Sequence, residues 1–171
     1  DRTLRVWDMD TGEQLLVLQG HTDRVKACAV TPNGRRAIST STDSTLRIWD
    51  LASGVQQAQF HWPDELGACA VTPDGRRAIC LGRLSLYIID LDVCAEGPKI
   101  AFSNRARAPQ TCAIHPDGRL VLYHTHQGFV AVDLSSGEEV RRFVTQSGWV
   151  TFTLTPDGRR LVAVLAQSVP H

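Results

Sequence analysis

Cys28-Ala29-Val30-Thr31-Pro32-Asn33-Gly34-Arg35-Arg36 returns almost unchanged as Cys69-Ala70-Val71-Thr72-Pro73-Asp74-Gly75-Arg76-Arg77. It returns again as Cys112-Ala113-Ile114-His115-Pro116-Asp117-Gly118-Arg119 and as Phe152-Thr153-Leu154-Thr155-Pro156-Asp157-Gly158-Arg159-Arg160. The residues before the prolines, Thr31, Thr72, His115 and Thr155, lie 41, 43 and 40 positions apart. A fixed period of this size marks a repeat architecture, in which one supersecondary unit stacks on the next. Within each copy Pro presets φ and Gly accepts positive φ, so the motif predicts a tight hairpin.

A second repeat runs in phase with the first. Thr3-Leu4-Arg5-Val6-Trp7-Asp8 matches Thr45-Leu46-Arg47-Ile48-Trp49-Asp50, with weaker copies at Ser85–Asp90 and Gly128–Asp133. Three of these segments lead into the turns Asp10-Thr11-Gly12, Ala52-Ser53-Gly54 and Ser135-Ser136-Gly137. The stretches between turns are short, alternating and rich in Val, Ile, Leu and Thr, which is strand chemistry. Each repeat therefore holds four short strands joined by tight turns.

These features resemble the WD-repeat (WD40) β-propeller family. Gly20-His21, Ser39, Asp43 and Trp49-Asp50 match the family's Gly-His to Trp-Asp frame. The resemblance covers essentially the whole chain. It implies an all-β fold, a propeller segment of four-stranded antiparallel blades with three full repeats and two half-blades. The expected bounds are 1–20 (partial), 21–61, 62–103, 104–146 and 147–171 (partial), all within one propeller region spanning 1–171. It also implies a structural tetrad of His21, Ser39, Asp43 and Trp49. The next repeat departs from that pattern, with Trp62 or His61 near the His position, Cys80 for Ser and Ile89 for Trp. The third has Tyr123 for Ser, Gln127 near the Asp position and Val132 for Trp. The two half-blades could close a four-bladed ring. The preferred expectation is an excerpt from a longer propeller of about seven blades, since Asp1 and Trp7 match tetrad positions that call for a His and a Ser, where the C-terminal half-blade has Thr145 and Ala163. The repeats are also similar to the regular arrays fused to bacterial signalling ATPases, caspase-like proteases or kinases.

Composition narrows the function classes. Formal net charge is zero over 171 residues, against the basic excess of a dedicated nucleic-acid surface. No apolar run approaches the 18 or so residues of a membrane-spanning helix, so no membrane partner is expected. Five cysteines, an odd number, fit a reducing compartment, and a cytoplasmic setting is expected.

Several clusters invite a chemical reading. His, Ser and Asp together suggest a serine hydrolase, but no Gly-x-Ser-x-Gly elbow is present, and Trp49 as fourth member favours a buried structural network. Cys28, Cys69 and Cys112 share one repeat position on the innermost strand. Neighbouring blades stand about 10 Å apart, too far for a zinc thiolate set or a disulfide, so these are read as small buried hydrophobes. His124 and His126 lack an evident third ligand, and neither a metal nor a cofactor is expected. Arg35, Arg36, Arg76, Arg77, Arg119, Arg159 and Arg160 line one rim, diluted by the hairpin acids. The stretch Cys94 to Pro109 reads as a longer loop around a weak outer strand.

The opposite face is the candidate recognition surface. Its loops change from repeat to repeat while the hairpins stay constant, and exposed Trp and Arg are enriched at binding hot spots. The residues assigned to a protein or peptide partner are Asp23, Arg24, Trp62, Asp64, Glu65, Arg105, Arg107 and Trp149. The alternative for Trp62 and Trp149 is that they cap the core between blades. The sequence thus predicts a non-enzymatic interaction scaffold or sensor module, its oligomeric state open. The competing classes are a propeller hydrolase and structural filler of a long array. The first needs acids, His or metal ligands at the central channel, where Val25–Val30 and Leu66–Val71 offer almost none; the second needs uniform loops.

Overall fold

Short segments rich in Val, Ile, Leu and Thr produce strands throughout, alternating in exposure toward the blade edges and continuously buried in the middle strands. The computed structural model describes residues 1–83, 85–101, 111–125, 128–144 and 150–165, and every regular element among them is a β-strand. β1 (Thr3–Trp7) and β2 (Gln14–Gln19) form a two-stranded sheet. The first complete blade follows as β3 (Val25–Val30), β4 (Arg36–Ser41), β5 (Thr45–Asp50) and β6 (Gln56–His61), a four-stranded sheet in that order. The second is β7 (Leu66–Val71), β8 (Arg77–Gly82), β9 (Ser85–Asp90) and β10 (Ala95–Ala101). The third is β11 (Cys112–Ile114), β12 (Leu120–Thr125), β13 (Gly128–Asp133) and β14 (Glu139–Val144). β15 (Val150–Leu154) and β16 (Leu161–Leu165) make a final two-stranded sheet. All pairings are antiparallel and join consecutive strands.

Two turn devices set the register. In the hairpin between β3 and β4, the Thr31 hydroxyl donates to Asn33 Oδ1 (2.8 Å) and accepts the Arg36 N–H (3.0 Å). Gly34 there has φ +69°, a left-handed conformation that a side chain would strain. Thr72 with Asp74 and Thr155 with Asp157 repeat the arrangement, whereas His115 replaces the threonine in the third blade. The second device is the aspartate ending each third strand. Asp50 Oδ1 accepts the N–H groups of Ala52 and Ser53, and Asp8, Asp90 and Asp133 do the same in their own turns.

The core lies between blades rather than within any one of them. Ile38, Leu46 and Ile48 of the first blade meet Ala78, Cys80, Tyr87 and Ile89 of the second. Ile79, Leu81 and Ile88 of the second meet Val121, Val130 and Val132 of the third. Leu4, Val6, Leu16 and Leu18 of the first half-sheet cover Ala37, Trp49 and Leu51. Each sheet is thus apolar on both faces at its centre, and stacking buries what one blade alone would expose.

One sequence expectation gains its bounds here and another needs correction. The stretch from Cys94, read as a longer loop around a weak outer strand, contains β10 at Ala95–Ala101, where Cys94 adopts φ +50° and turns the chain back alongside β9. Cys28, read as a buried hydrophobe, is exposed on β3, while Cys69 and Cys112 are half-buried and Cys80 is fully buried. Burial still pushes the Cys112 thiol up to about 12, which leaves it unreactive at neutral pH.

Candidate functional site

Gly20-His21 enters the first blade just before β3, and the backbone there runs hard against Arg47. A Cβ on Gly20 would displace the end of the Arg47 side chain and crowd the Trp49 ring at 3.1 Å, so glycine gives the closest approach. That placement delivers the His21 ring into the sheet, with its side chain fully buried. Its Nδ1 lies 2.8 Å from Asp43 Oδ2 and its Nε2 lies 2.8 Å from Ser39 Oγ. The Trp49 indole N–H donates to the same Ser39 oxygen at 2.9 Å. The four side chains assigned to the tetrad are therefore linked by hydrogen bonds, His21 from the segment before β3, Ser39 from β4, Asp43 from the turn after it and Trp49 from β5.

The carboxylate fixes the tautomer. Ionised Asp43 only accepts, so the proton of the neutral His21 ring sits on Nδ1, Nε2 accepts the Ser39 hydroxyl, and Ser39 Oγ accepts the Trp49 indole N–H. Nδ1–H then donates to Asp43. The Asp43 carboxylate also accepts the Thr22 N–H (2.9 Å), the Thr45 N–H (2.9 Å) and the Thr45 hydroxyl (2.6 Å). Burial works to raise the Asp43 pKa, but the bonds from Thr45, His21 and Thr22 outweigh it and hold the carboxyl far below the usual range. Burial pushes the His21 pKa down, against the pull of Asp43, so the ring stays neutral in the fold. Thr45 is the member that the tetrad pattern omitted; its signal was the Thr at the head of the repeated Thr-Leu-Arg-Ile-Trp-Asp segment.

The lowered His21 pKa carries a pH dependence. Between the folded value and about 6.5 the unfolded chain binds the extra proton, so stability rises with pH across that window. The His21 contribution is complete above about pH 6.5 and is lost as pH falls through the folded value. Urea midpoints measured from pH 7.5 down to pH 5 should decline for the native protein, with a shallower decline for His21→Gln. Identical slopes would remove His21 from the linkage.

The second blade replaces this polar network with aromatics. Trp62, one period after His21, is buried with 8% exposure and stacks on Tyr87 at a centroid distance of 4.5 Å and on Phe60 at 5.9 Å. Tyr87 Oη donates to Asp64 Oδ2 at 3.4 Å, and Asp64 is itself 8% exposed. Gly82 is required beside it, since a Cβ there would meet Asp64 Oδ2 at 2.4 Å. Trp62 and Asp64 therefore leave the expected recognition surface: both fill the seam between the first two blades. The spacing to His21 was the available signal, because it aligns Trp62 with a buried position.

The remaining surface residues divide cleanly. Asp23, Arg24 and Glu65 are exposed. Their backbones are pinned: Thr42 N–H donates to Arg24 O (2.9 Å), Ser41 Oγ to Asp23 O (3.1 Å) and Arg83 N–H to Glu65 O (3.2 Å). Lys26 Nζ stands 3.7 Å from Glu65 Oε1, linking β3 to the loop before β7. Arg105, Arg107 and Trp149, with His126 and Gln127, lie outside the described residues. Among the described residues no cluster of three or more His, Cys, Asp or Glu could hold a metal ion. No helix among them is long and apolar enough to cross a membrane.

The comparisons agree with this geometry. The sequence profile for the WD domain, G-beta repeat (WD40), matches residues 12–50, which contain the whole tetrad. Nuclear distribution protein PAC1 of Arthroderma benhamiae is 46% identical over 52 residues, 30% of this chain and 11% of the relative. Cell division control protein 4 of Saccharomyces cerevisiae is 47% identical over 51 residues, 30% of this chain and 6% of the relative. Coronin-7 of Rattus norvegicus is 31% identical over 134 residues, 71% of this chain and 14% of the relative. The chain thus spans only a small part of the length of these relatives. Hydrazine synthase of Kuenenia stuttgartiensis superposes with a TM-score of 0.84 over 95% of this chain and 49% of that one, at 19% identity, a likeness of fold alone. Repeat period, blade topology, the His21–Ser39–Asp43–Trp49 cluster and the matched profile converge: the chain belongs to the WD40 repeat family.

Proposed function

We propose that this chain is a non-enzymatic platform that binds a protein or peptide through Asp23, Arg24 and Glu65. WD40 repeats serve generally as protein-interaction scaffolds, and the finer assignment here is to the loop face before β3 and β7. The observation that carries it is a contrast between the two ends of the blades. At one end Thr–Pro–Asp/Asn–Gly hairpins repeat one set of internal hydrogen bonds. At the other, charged side chains project from loops whose backbones are fixed, and their identities change between blades. Fixed backbones reduce the ordering cost of binding, and recognition residues on a rigid scaffold commonly sit in such loops.

A hydrolase reading is disfavoured by the state of its would-be nucleophile. Ser39 is fully buried, and its hydroxyl proton and one lone pair are spent on His21 and Trp49. A nucleophile must reach a substrate and an oxyanion site. The tetrad is accordingly assigned a structural role, and a cytoplasmic sensor setting within a larger signalling protein is consistent with it.

The charge-reversed variants Arg24→Glu and Glu65→Lys should each lower capture of a cognate partner by about tenfold or more while leaving the melting curve unchanged. Quantitative pull-down from the native source, read against a thermal melt of each variant, checks this. Undiminished capture by both variants would reject the assigned surface.

A further inference from the structure

The hairpins at the end of the blades opposite Asp23 and Arg24 form one continuous ridge. Each lies against the one before it: a Cβ on Gly75 would stand 3.3 Å from Pro32 Cδ, one on Gly118 would stand 3.6 Å from Pro73 Cδ, and Gly158 lies against the His115 ring. Directly after each of these glycines, and after Gly34, comes an arginine: Arg35, Arg76, Arg119 and Arg159, all exposed. Their backbones are fixed. Each N–H donates to the side chain at the third hairpin position, Arg35 to Asn33 (3.0 Å), Arg76 to Asp74 (3.0 Å), Arg119 to Asp117 (2.8 Å) and Arg159 to Asp157 (3.0 Å). The carbonyls of Arg35, Arg76 and Arg119 accept the N–H groups of Leu51, Leu91 and Leu134.

The ridge is basic. Residues 31–36, 72–77, 115–120 and 155–160 hold seven arginines and three aspartates, a net of four positive charges. The aspartates turn toward their own hairpins. Asp74 Oδ1 accepts the Thr72 hydroxyl (2.5 Å), Asp157 Oδ1 accepts the Thr155 hydroxyl, and Asp117 Oδ1 lies 2.9 Å from His115 Nδ1. Asp50, Asp90 and Asp133 close the turns between third and fourth strands, one strand removed from the ridge, and accept N–H groups of those turns. The guanidiniums are less committed. Arg119 spends Nε on Asp133 (2.6 Å) and Arg76 stands 3.8 Å from the exposed Asp92, while Arg35 and Arg159 form no ion pair among the described residues. Exposed pairs of this kind contribute little and exchange readily for the carboxylate of a ligand. The first hairpin is the most positive, because Asn33 stands where the others have Asp.

We propose that this ridge binds an extended acidic segment of a protein partner, on a second surface independent of the one at Arg24 and Glu65. Stacked sheets stand about 10 Å apart, so successive arginines recur at about that spacing. A polyproline-type peptide rises about 3.1 Å per residue with about three residues per turn, so every third side chain points the same way about every 9 Å. Acids at every third residue therefore meet one guanidinium per blade, and the planar fork matches a carboxylate at two points. Fixed backbones leave only side chains to be ordered on binding. The ridge suits carboxylates better than other polyanions. None of the four hairpins carries Phe, Tyr or Trp, so single-stranded nucleic acid finds no stacking platform. Leu120 is their only large aliphatic residue, too little apolar surface to enter a lipid interface.

Fluorescence anisotropy with the purified full-length protein and a fluorescein-labelled peptide of repeated Glu-Pro-Pro units tests this. The expected result is saturable binding that weakens as salt rises. Combining Arg35→Glu with Arg159→Glu should weaken it by about tenfold or more while leaving the melting curve unchanged. Arg24→Glu, at the other end of the blades, should bind the probe as the native protein does. A peptide of the same composition with its glutamates in one block should bind more weakly, since its charges miss the spacing. If the combined variant melts early, Arg35→Gln with Arg159→Gln, which removes the charges without reversing them, is read in the same way. The proposal is overturned by a native protein that does not bind the probe, by combined variants that bind it undiminished, or by an equal loss in Arg24→Glu. Equal affinity for the blocked peptide, or tighter binding of an oligothymidylate or of phosphatidylserine vesicles, would overturn it as well.

Discussion

Trp62→Ala should lower stability by about 3–5 kcal/mol, the range for removing a buried large aromatic. For a chain of this size that corresponds to a fall in melting temperature of roughly 6–20 °C. The indole is sandwiched between Phe60 and Tyr87 and is 8% exposed, so its removal opens a cavity in the seam between blades and breaks both stacks. It also exposes the Tyr87–Asp64 contact, whose distance of 3.4 Å depends on the ring being held in place. Trp62→Phe should retain part of one stack and lose less. Urea unfolding of the three proteins checks the order. A Trp62→Ala protein as stable as the native chain would mean that the ring does not fill the seam.

Ser39→Ala should cost about 2–4 kcal/mol, because it orphans two buried groups at once, each worth about 1–3 kcal/mol. The Trp49 indole N–H loses its acceptor and His21 Nε2 loses its donor. Neither can turn to water, since the Trp49 and His21 side chains are both enclosed. Ser39→Cys introduces the residue that the second blade has at this position, Cys80, and should fall between the two. The thiol fits the space but is a weak donor and acceptor. Denaturant midpoints for the three proteins should rank Ser, then Cys, then Ala. A serine-to-alanine change without effect would show that the cluster contributes no net stability.

The fold was legible because its signals are local and repeated. A Pro-Asp-Gly hairpin every 40 or so residues, with an Asp-capped turn in phase, specifies strand, turn and register without long-range information. The tetrad contact could be anticipated at Gly20, His21, Ser39, Asp43 and Trp49 because one blade keeps every member. Trp62 and Asp64 were harder. Their loop context suggests exposure, and only the period reveals that Trp62 aligns with a buried ring. What covers that ring, Phe60 and Tyr87, comes from two different blades, and inter-blade packing leaves no short sequence signature. Cys28 was misjudged for a related reason: position on the innermost strand does not bury a side chain that no neighbouring blade covers.

The central claim separates a structural cluster from a recognition surface, and one paired measurement tests it. Melting temperature and partner affinity are measured together for Ser39→Ala and Arg24→Glu. The expected result is a crossed pattern: Ser39→Ala loses stability but keeps its affinity below its melting transition, while Arg24→Glu keeps stability and loses affinity. The reverse pattern would contradict the account, with Ser39→Ala fully stable yet inactive and Arg24→Glu indistinguishable from the native protein.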